Sequence, residues 1–134
     1  MSPEIFTRAA VADFCIREGS RHGGVNNMTA IAWVLRNRVF AGWGDWYDVA
    51  TNAPAKRGTI YEDWKVDLRN SQVRIFLARL DDIHNGTDAE DIVNGALYYT
   101  EAHLPQTAWF AGAILPDREE HPLLAKVGPV HFFG

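Results

Sequence analysis

Two alanine-rich apolar stretches, separated by the segment Gly19 to Gly24, constrain this chain more than any other feature. In the first, Ile5, Phe6, Ala9, Ala10, Asp13 and Phe14 recur at helical spacing, with Ala12, Cys15 and Ile16 beside them. The spacing predicts a helix over 3–18, with Ser2 as N-cap and Pro3 at the first position, where the missing N–H costs nothing. In the second, Met28, Ile31, Val34, Leu35 and Val39 form an apolar stripe. Asn26 or Asn27 is suited to cap this second helix, over roughly 27–40. The glycine-rich segment between them reads as a turn. Small residues on both helices let the two backbones approach closely, so a tight helical pair is the expected start of the fold.

Residues 41–69 lose this periodicity. Trp43, Trp46, Tyr47, Tyr61 and Trp64 crowd into a stretch otherwise rich in Asn, Pro, Lys, Arg and Gly, and a long irregular segment in a compact domain usually serves function. A third helix is predicted over 71–84, capped by Asn70 or Ser71 and ended by Asn85-Gly86, with Val73, Phe76, Leu77, Leu80 and Ile83 on one face. Beyond it, 94–99, 108–110 and 127–133 look extended, and Gly112, Pro116, Pro122 and Pro129 keep the pieces short. The expectation is one α+β domain spanning 1–134, mainly helical, with short strands toward the C-terminus.

Composition narrows the function classes. The chain has 134 residues, 47% of them apolar, which is enough for a packed core in a single domain. Seventeen acids face 13 bases for a net charge of -4, and the longest Lys/Arg run is the pair Lys56-Arg57, so no basic face for nucleic acid or anionic membrane is expected. No stretch approaches the roughly 20 apolar residues of a membrane span. The N-terminus lacks a basic segment followed by an apolar one, so no secretory signal is expected; a phage lysis system, specialised secretion or a trimmed chain remain as routes. Cys15 is the single cysteine and can form no internal disulfide. The five histidines show no metal-ligand spacing, and neither metal nor cofactor is expected.

Glu18 falls at the predicted end of the first helix, beside the glycines. The plain reading is a solvated helix-terminal glutamate. The functional one is a half-buried carboxyl group facing a groove, where low dielectric disfavours the charged form and makes a proton donor near neutral pH.

The order of the motifs supports the second reading. Glu18 and its glycine turn precede the helix Met28-Thr29-Ala30-Ile31-Ala32-Trp33-Val34-Leu35-Arg36-Asn37-Arg38-Val39. Then come Asn94-Gly95-Ala96-Leu97-Tyr98-Tyr99, Pro105, Trp109, Val127-Gly128 and His131-Phe132-Phe133. Over residues 9–133 this order resembles the bacterial cell-wall hydrolases of the spore-cortex-lytic (SleB) type. The resemblance implies a lysozyme-like fold and cleavage of peptidoglycan glycan strands between muramic acid and glucosamine units. It also implies a lytic transglycosylase mechanism with Glu18 as the single catalytic acid/base. The chain departs from the pattern in having no second acid between Gly19 and Gly24, no recognisable Gln-Phe-Ser element in 52–64, and Pro129-Val130 before the terminal His.

Further site candidates follow. Tyr98 and Tyr99 alternate across a strand, so one faces the groove and the other is a packing residue; Tyr99 is preferred as the sugar contact. Trp64 and Trp109, with Trp43 and Trp46, are candidates to stack on sugar faces, with about half of them expected in the core. His131 matches the family's terminal His. Asn37 is either a substrate contact or a tie to a loop backbone, and Arg38 a partner for an acid. A hydrolytic variant would need a second carboxylate, for which Asp45, Asp48, Glu62 and Asp63 are candidates, although solvated loop positions are the simpler reading. A Cys15 nucleophile is a rival, set against its place among helix-core positions. The alternative from another class is a non-catalytic glycan-binding component of a phage or secretion particle. A monomer is expected, with a delivery or accessory protein as a conceivable partner.

Overall fold

The glycine segment turns out to be mostly helical. A computed structural model describes residues 3–51, 69–86, 90–101 and 121–134, the side chains of 3–6, 21, 22 and 101 excepted. Helix α1 runs Pro3–His22 and α2 runs Val25–Phe40, so Glu18 lies one turn inside α1 rather than at its end. The reason is Gly19. A Cβ at this position would overlap the backbone and side chain of Met28, so glycine lets α1 continue where α2 crosses it. The helix stops only at Gly23 and Gly24, whose φ angles of 145° and 134° suit glycine alone. Both donate their N–H groups to the Gly19 carbonyl at 3.0 Å.

The start of α2 corrects a second expectation. Asn26 and Asn27 lie inside the helix and Gly24 holds the N-cap position, with no side-chain cap of its own. Gln72 supplies the acceptor instead: its Oε1 takes the Val25 N–H at 3.1 Å across 47 residues of sequence. From Asn27 to Leu35 every residue of α2 is buried. A helix buried all round must be central, and α2 packs against α1, α3 and α4. Ser2, the expected cap of α1, lies outside the described residues.

Within the segment read as irregular, Trp46–Thr51 forms a short helix, α3. Asp45 Oδ1 accepts the Asp48 N–H at 2.8 Å and Asp48 Oδ2 accepts the Asp45 N–H at 3.1 Å. This reciprocal box satisfies two donors of the first turn, and the aromatic crowding masked it as a helix start. Helix α4, Ser71–Asn85, follows expectation: Asn70 caps it, accepting from Gln72 N at 2.9 Å, and Gly86 ends it at φ 70°. Val73, Phe76, Leu80 and Ile83 of α4 are buried.

Among the described residues the strands are β1 (Tyr98–Glu101), β2 (Leu123–Val127) and β3 (Val130–Phe133), in an antiparallel sheet of order β1-β3-β2. The fold is thus α+β with helices first. Two strand expectations need correction. Residues 91–95 form a turn, with Asn94 at φ 55° and Gly95 at φ 83°, so only Tyr98 and Tyr99 of the expected 94–99 strand belong to β1. The terminal extended piece is a hairpin whose two strands meet at Gly128-Pro129, with Gly128 at φ 54°. Glycine first in a two-residue connection suits the twist of the flanking strands. The piece expected at 108–110 lies outside the described residues.

The core joins both halves: Phe14 and Cys15 of α1, Met28, Ile31 and Leu35 of α2, Phe76 and Ile83 of α4, and Val130 and Phe132 of β3. Helix propensity alone favours Gly19→Ala by up to about 1 kcal/mol. The contact with Met28 reverses the sign, and Gly19→Ala is expected to lose about 1–3 kcal/mol in urea unfolding. Ser20→Ala, at the exposed neighbouring position, serves as control and should stay within about 0.5 kcal/mol of wild type.

Candidate functional site

The turn before β1 is fastened to α2 by side chains. Asn37 Nδ2 donates to the Ala96 carbonyl at 3.1 Å and to Asp91 Oδ2 at 3.2 Å. Arg38, only 3% exposed, donates from Nε to the Leu97 carbonyl at 2.8 Å. Its guanidinium also sits 5.0 Å from the Trp43 ring centroid. The expected acid partner of Arg38 is thus replaced, among the described residues, by a carbonyl and an aromatic face. Burial lowers the Arg38 pKa from its ordinary value, while Tyr99 and Tyr98 act in the opposite sense. Asn37 ties down a loop backbone, and its amide donor is spent on the protein.

So held, β1 presents its two tyrosines to opposite faces. Tyr99 turns inward, 5.9 Å from Phe132 by ring centroids. Its hydroxyl donates to Glu18 Oε2 at 3.0 Å, across 81 residues of sequence. Glu18 is 7% exposed, so the contact lies largely out of water. Burial, first, and then the neighbouring Glu18 charge raise the Tyr99 pKa well above the usual phenol value, against the lowering effect of Arg38. Tyr99 is therefore a fixed hydrogen-bond donor throughout the neutral range. Tyr98 packs on the other side between Trp43, at 5.5 Å, and His121, at 4.8 Å.

The remaining candidates divide. The alternation that turns Phe132 inward sends His131 to the other face of the sheet, away from Glu18, because neighbouring strand residues point to opposite sides. Trp43 is exposed, and Trp46 lies with His84 beside a cleft of about 500 Å³ between α1, α3 and α4. This cleft reaches Thr7, Arg8 and Val11, about two to three turns of α1 before Glu18, and does not include the glutamate. Trp64, Trp109, Glu62 and Asp63 lie outside the described residues. Asp45 and Asp48 cap α3. Cys15 is fully buried, and burial, then the charges of Glu18 and Asp13, push its thiol well above the ordinary value, which leaves it a poor nucleophile.

Sequence reasoning missed Asp91, which accepts from Val93 N at 2.9 Å, Gly95 N at 2.8 Å and Asn37 Nδ2 at 3.2 Å. The signal was present in Asp91-Ile92-Val93-Asn94-Gly95, an aspartate ahead of a turn-forming Asn-Gly pair. Comparison with protein-family models, with curated proteins and with solved structures gave no match. Among the described residues no helix is long and apolar enough to cross a membrane.

The raised groups predict an alkaline limit on stability. Tyr99 and Cys15 ionise more readily in the unfolded chain than in the folded one, so their contribution is complete below the unfolded values of 10.0 and 9.0. It falls as pH rises beyond them toward the folded values. Unfolding free energy should therefore decline above about pH 9, and Tyr99→Phe should flatten the part of the slope above about pH 10. Urea titrations at stepped pH measure both.

Proposed function

We propose that this domain has a lysozyme-like fold and cleaves peptidoglycan glycan strands between muramic acid and glucosamine units as a lytic transglycosylase. The observation that supports it is the Glu18–Tyr99 pair: a carboxyl group 7% exposed, with one oxygen held at 3.0 Å by a tyrosine hydroxyl. Glu18 matches the family's catalytic position, and Tyr99 lies in the Gly95-Ala96-Leu97-Tyr98-Tyr99 segment of the resemblance to cell-wall hydrolases.

The chemistry needs one carboxyl group. Protonated Glu18 gives its proton to the glycosidic oxygen as the bond to C1 breaks. The Glu18 carboxylate then removes the proton from the muramoyl 6-hydroxyl, whose oxygen closes onto C1 to form a 1,6-anhydro ring. Water does not attack, so the second carboxylate of ordinary glycosidases is not required. Tyr99 donates to Oε2 and steadies the carboxylate between the two proton transfers. Burial sharpens this hydrogen bond, because a charged acceptor in low dielectric gains more from a fixed donor than one in water.

The non-catalytic reading has its own support. The small exposed fraction of Glu18 offers little surface to a polymer, whereas Trp43 is 44% exposed beside Tyr98 and suits binding to a sugar face. Mass spectrometry of muropeptides from purified sacculi separates the readings. Wild type is expected to release anhydro-muramoyl ends, and Glu18→Gln to slow the release by roughly 10²–10⁴-fold. Reducing ends would indicate a hydrolase, and no soluble product from wild type would favour the glycan-binding module.

A further inference from the structure

We propose that Asp91 is a positioning residue for the Glu18–Tyr99 pair, acting through the turn that leads into β1. This rests on the reading of Glu18 as acid/base, but its geometry stands apart from any substrate. One carboxylate gathers three donors: Val93 N at Oδ1, and Gly95 N and Asn37 Nδ2 at Oδ2, all within 3.2 Å. Two successive left-handed residues, Asn94 at φ 55° and Gly95 at φ 83°, make the turn between them. A non-glycine residue in that region is strained, so the turn needs an outside hold. Asp91 provides it, and Asn37 links the same carboxylate to α2.

The hold is passed on in two short steps. Asn37 also fixes the Ala96 carbonyl at 3.1 Å, and Arg38 fixes the Leu97 carbonyl at 2.8 Å. Leu97 N donates to the Phe133 carbonyl at 2.9 Å, which sets the edge of the sheet. Tyr99 follows two residues later with its hydroxyl on Glu18. The donor to Glu18 is thereby registered against α2, the helix on which α1 packs at Gly19. When the Asp91 carboxylate is removed, the turn loses its hub and Tyr99 its distance to Glu18. Among the described residues, Arg38 of α2 and Cys15 of α1 act on the pair and Asp13 of α1 acts on Cys15, and the Asp91 and Tyr99 variants leave all three in place.

Carboxyl ¹³C NMR of the whole domain tests this without catalysis, with the Glu18 signal assigned by its loss in Glu18→Gln. A hydrogen bond to the charged form favours that form, so Tyr99→Phe is expected to move the Glu18 titration midpoint up. Asp91→Ala should move it in the same direction, and the double variant should match Tyr99→Phe alone. On sacculi, Asp91→Ala should lower kcat by roughly 10- to 100-fold with KM held. Asp91→Asn, which keeps one acceptor oxygen, should restore part of both effects. An unchanged Glu18 midpoint in Asp91→Ala, or a shift that adds in full to that of Tyr99→Phe, overturns the proposal and leaves Asp91 a turn residue only. If Asp91→Ala does not fold, Asn37→Ala removes one of the three donors and is judged by the same midpoint. Sacculi left intact by wild type would count against the transglycosylase reading, while the NMR cycle would still decide the positioning role.

Discussion

Everything in this fold depends on how closely α1 approaches α2 at Gly19. Where the two helices cross, the Met28 backbone occupies the space that a Cβ would need. Dispersion contacts are individually small and fall away within an ångström, so this approach decides how well the remaining side chains of both helices interlock. Phe14 and Cys15 on one side and Ile31 and Leu35 on the other are fully buried as a result. The same crossing places Glu18, the residue before the glycine, at the inner end of the helical pair. A position that appears in sequence as a frayed helix end is in fact a well-packed interior turn.

The second layer of organisation is polar. Among the described residues the sheet is small, and β1, a strand of four residues, pairs with β3 alone. Such a strand has little apolar surface with which to fix its own place. Asn37, Arg38 and Asp91 supply the placement through hydrogen bonds to backbone groups of 93–97. Buried polar groups are costly when unpaired and directional when paired, so they specify one arrangement where apolar contacts would tolerate several. Burying the Arg38 charge carries such a cost, offset by the Leu97 carbonyl and the Trp43 ring.

These two layers meet at one hydrogen bond. Glu18 arrives on the helical pair and Tyr99 on the pinned strand, and the bond between them links the halves of the chain. Cys15 lies close enough on the same helix for its thiol to be held protonated by burial and by the Glu18 charge. A carboxyl group, a phenol and a thiol thus share a low-dielectric neighbourhood in which the latter two stay neutral. The Glu18 carboxyl group is the member of the set that accepts the Tyr99 hydroxyl, and the proposed chemistry turns on it.

Local patterns in the sequence were sufficient for α2 and α4, for the stripe of α4 in which Val73, Phe76, Leu80 and Ile83 are buried and Leu77 packs partly buried against the core, for the α+β order of elements, and for the opposite facing of Tyr98 and Tyr99. Each rests on periodicity or alternation within a few residues of chain, and short-range geometry obeys those rules wherever one face is buried. The tertiary structure alone decided the rest. It carried α1 through Gly19 because a partner backbone lies there, gave the cap of α2 to Gln72 from α4, and sent His131 to the outer face of the sheet. It also made Asp91 a hub and joined Tyr99 to Glu18. All of these depend on atoms distant in sequence. A residue carries its own propensity but no record of the neighbour that folding will bring to it.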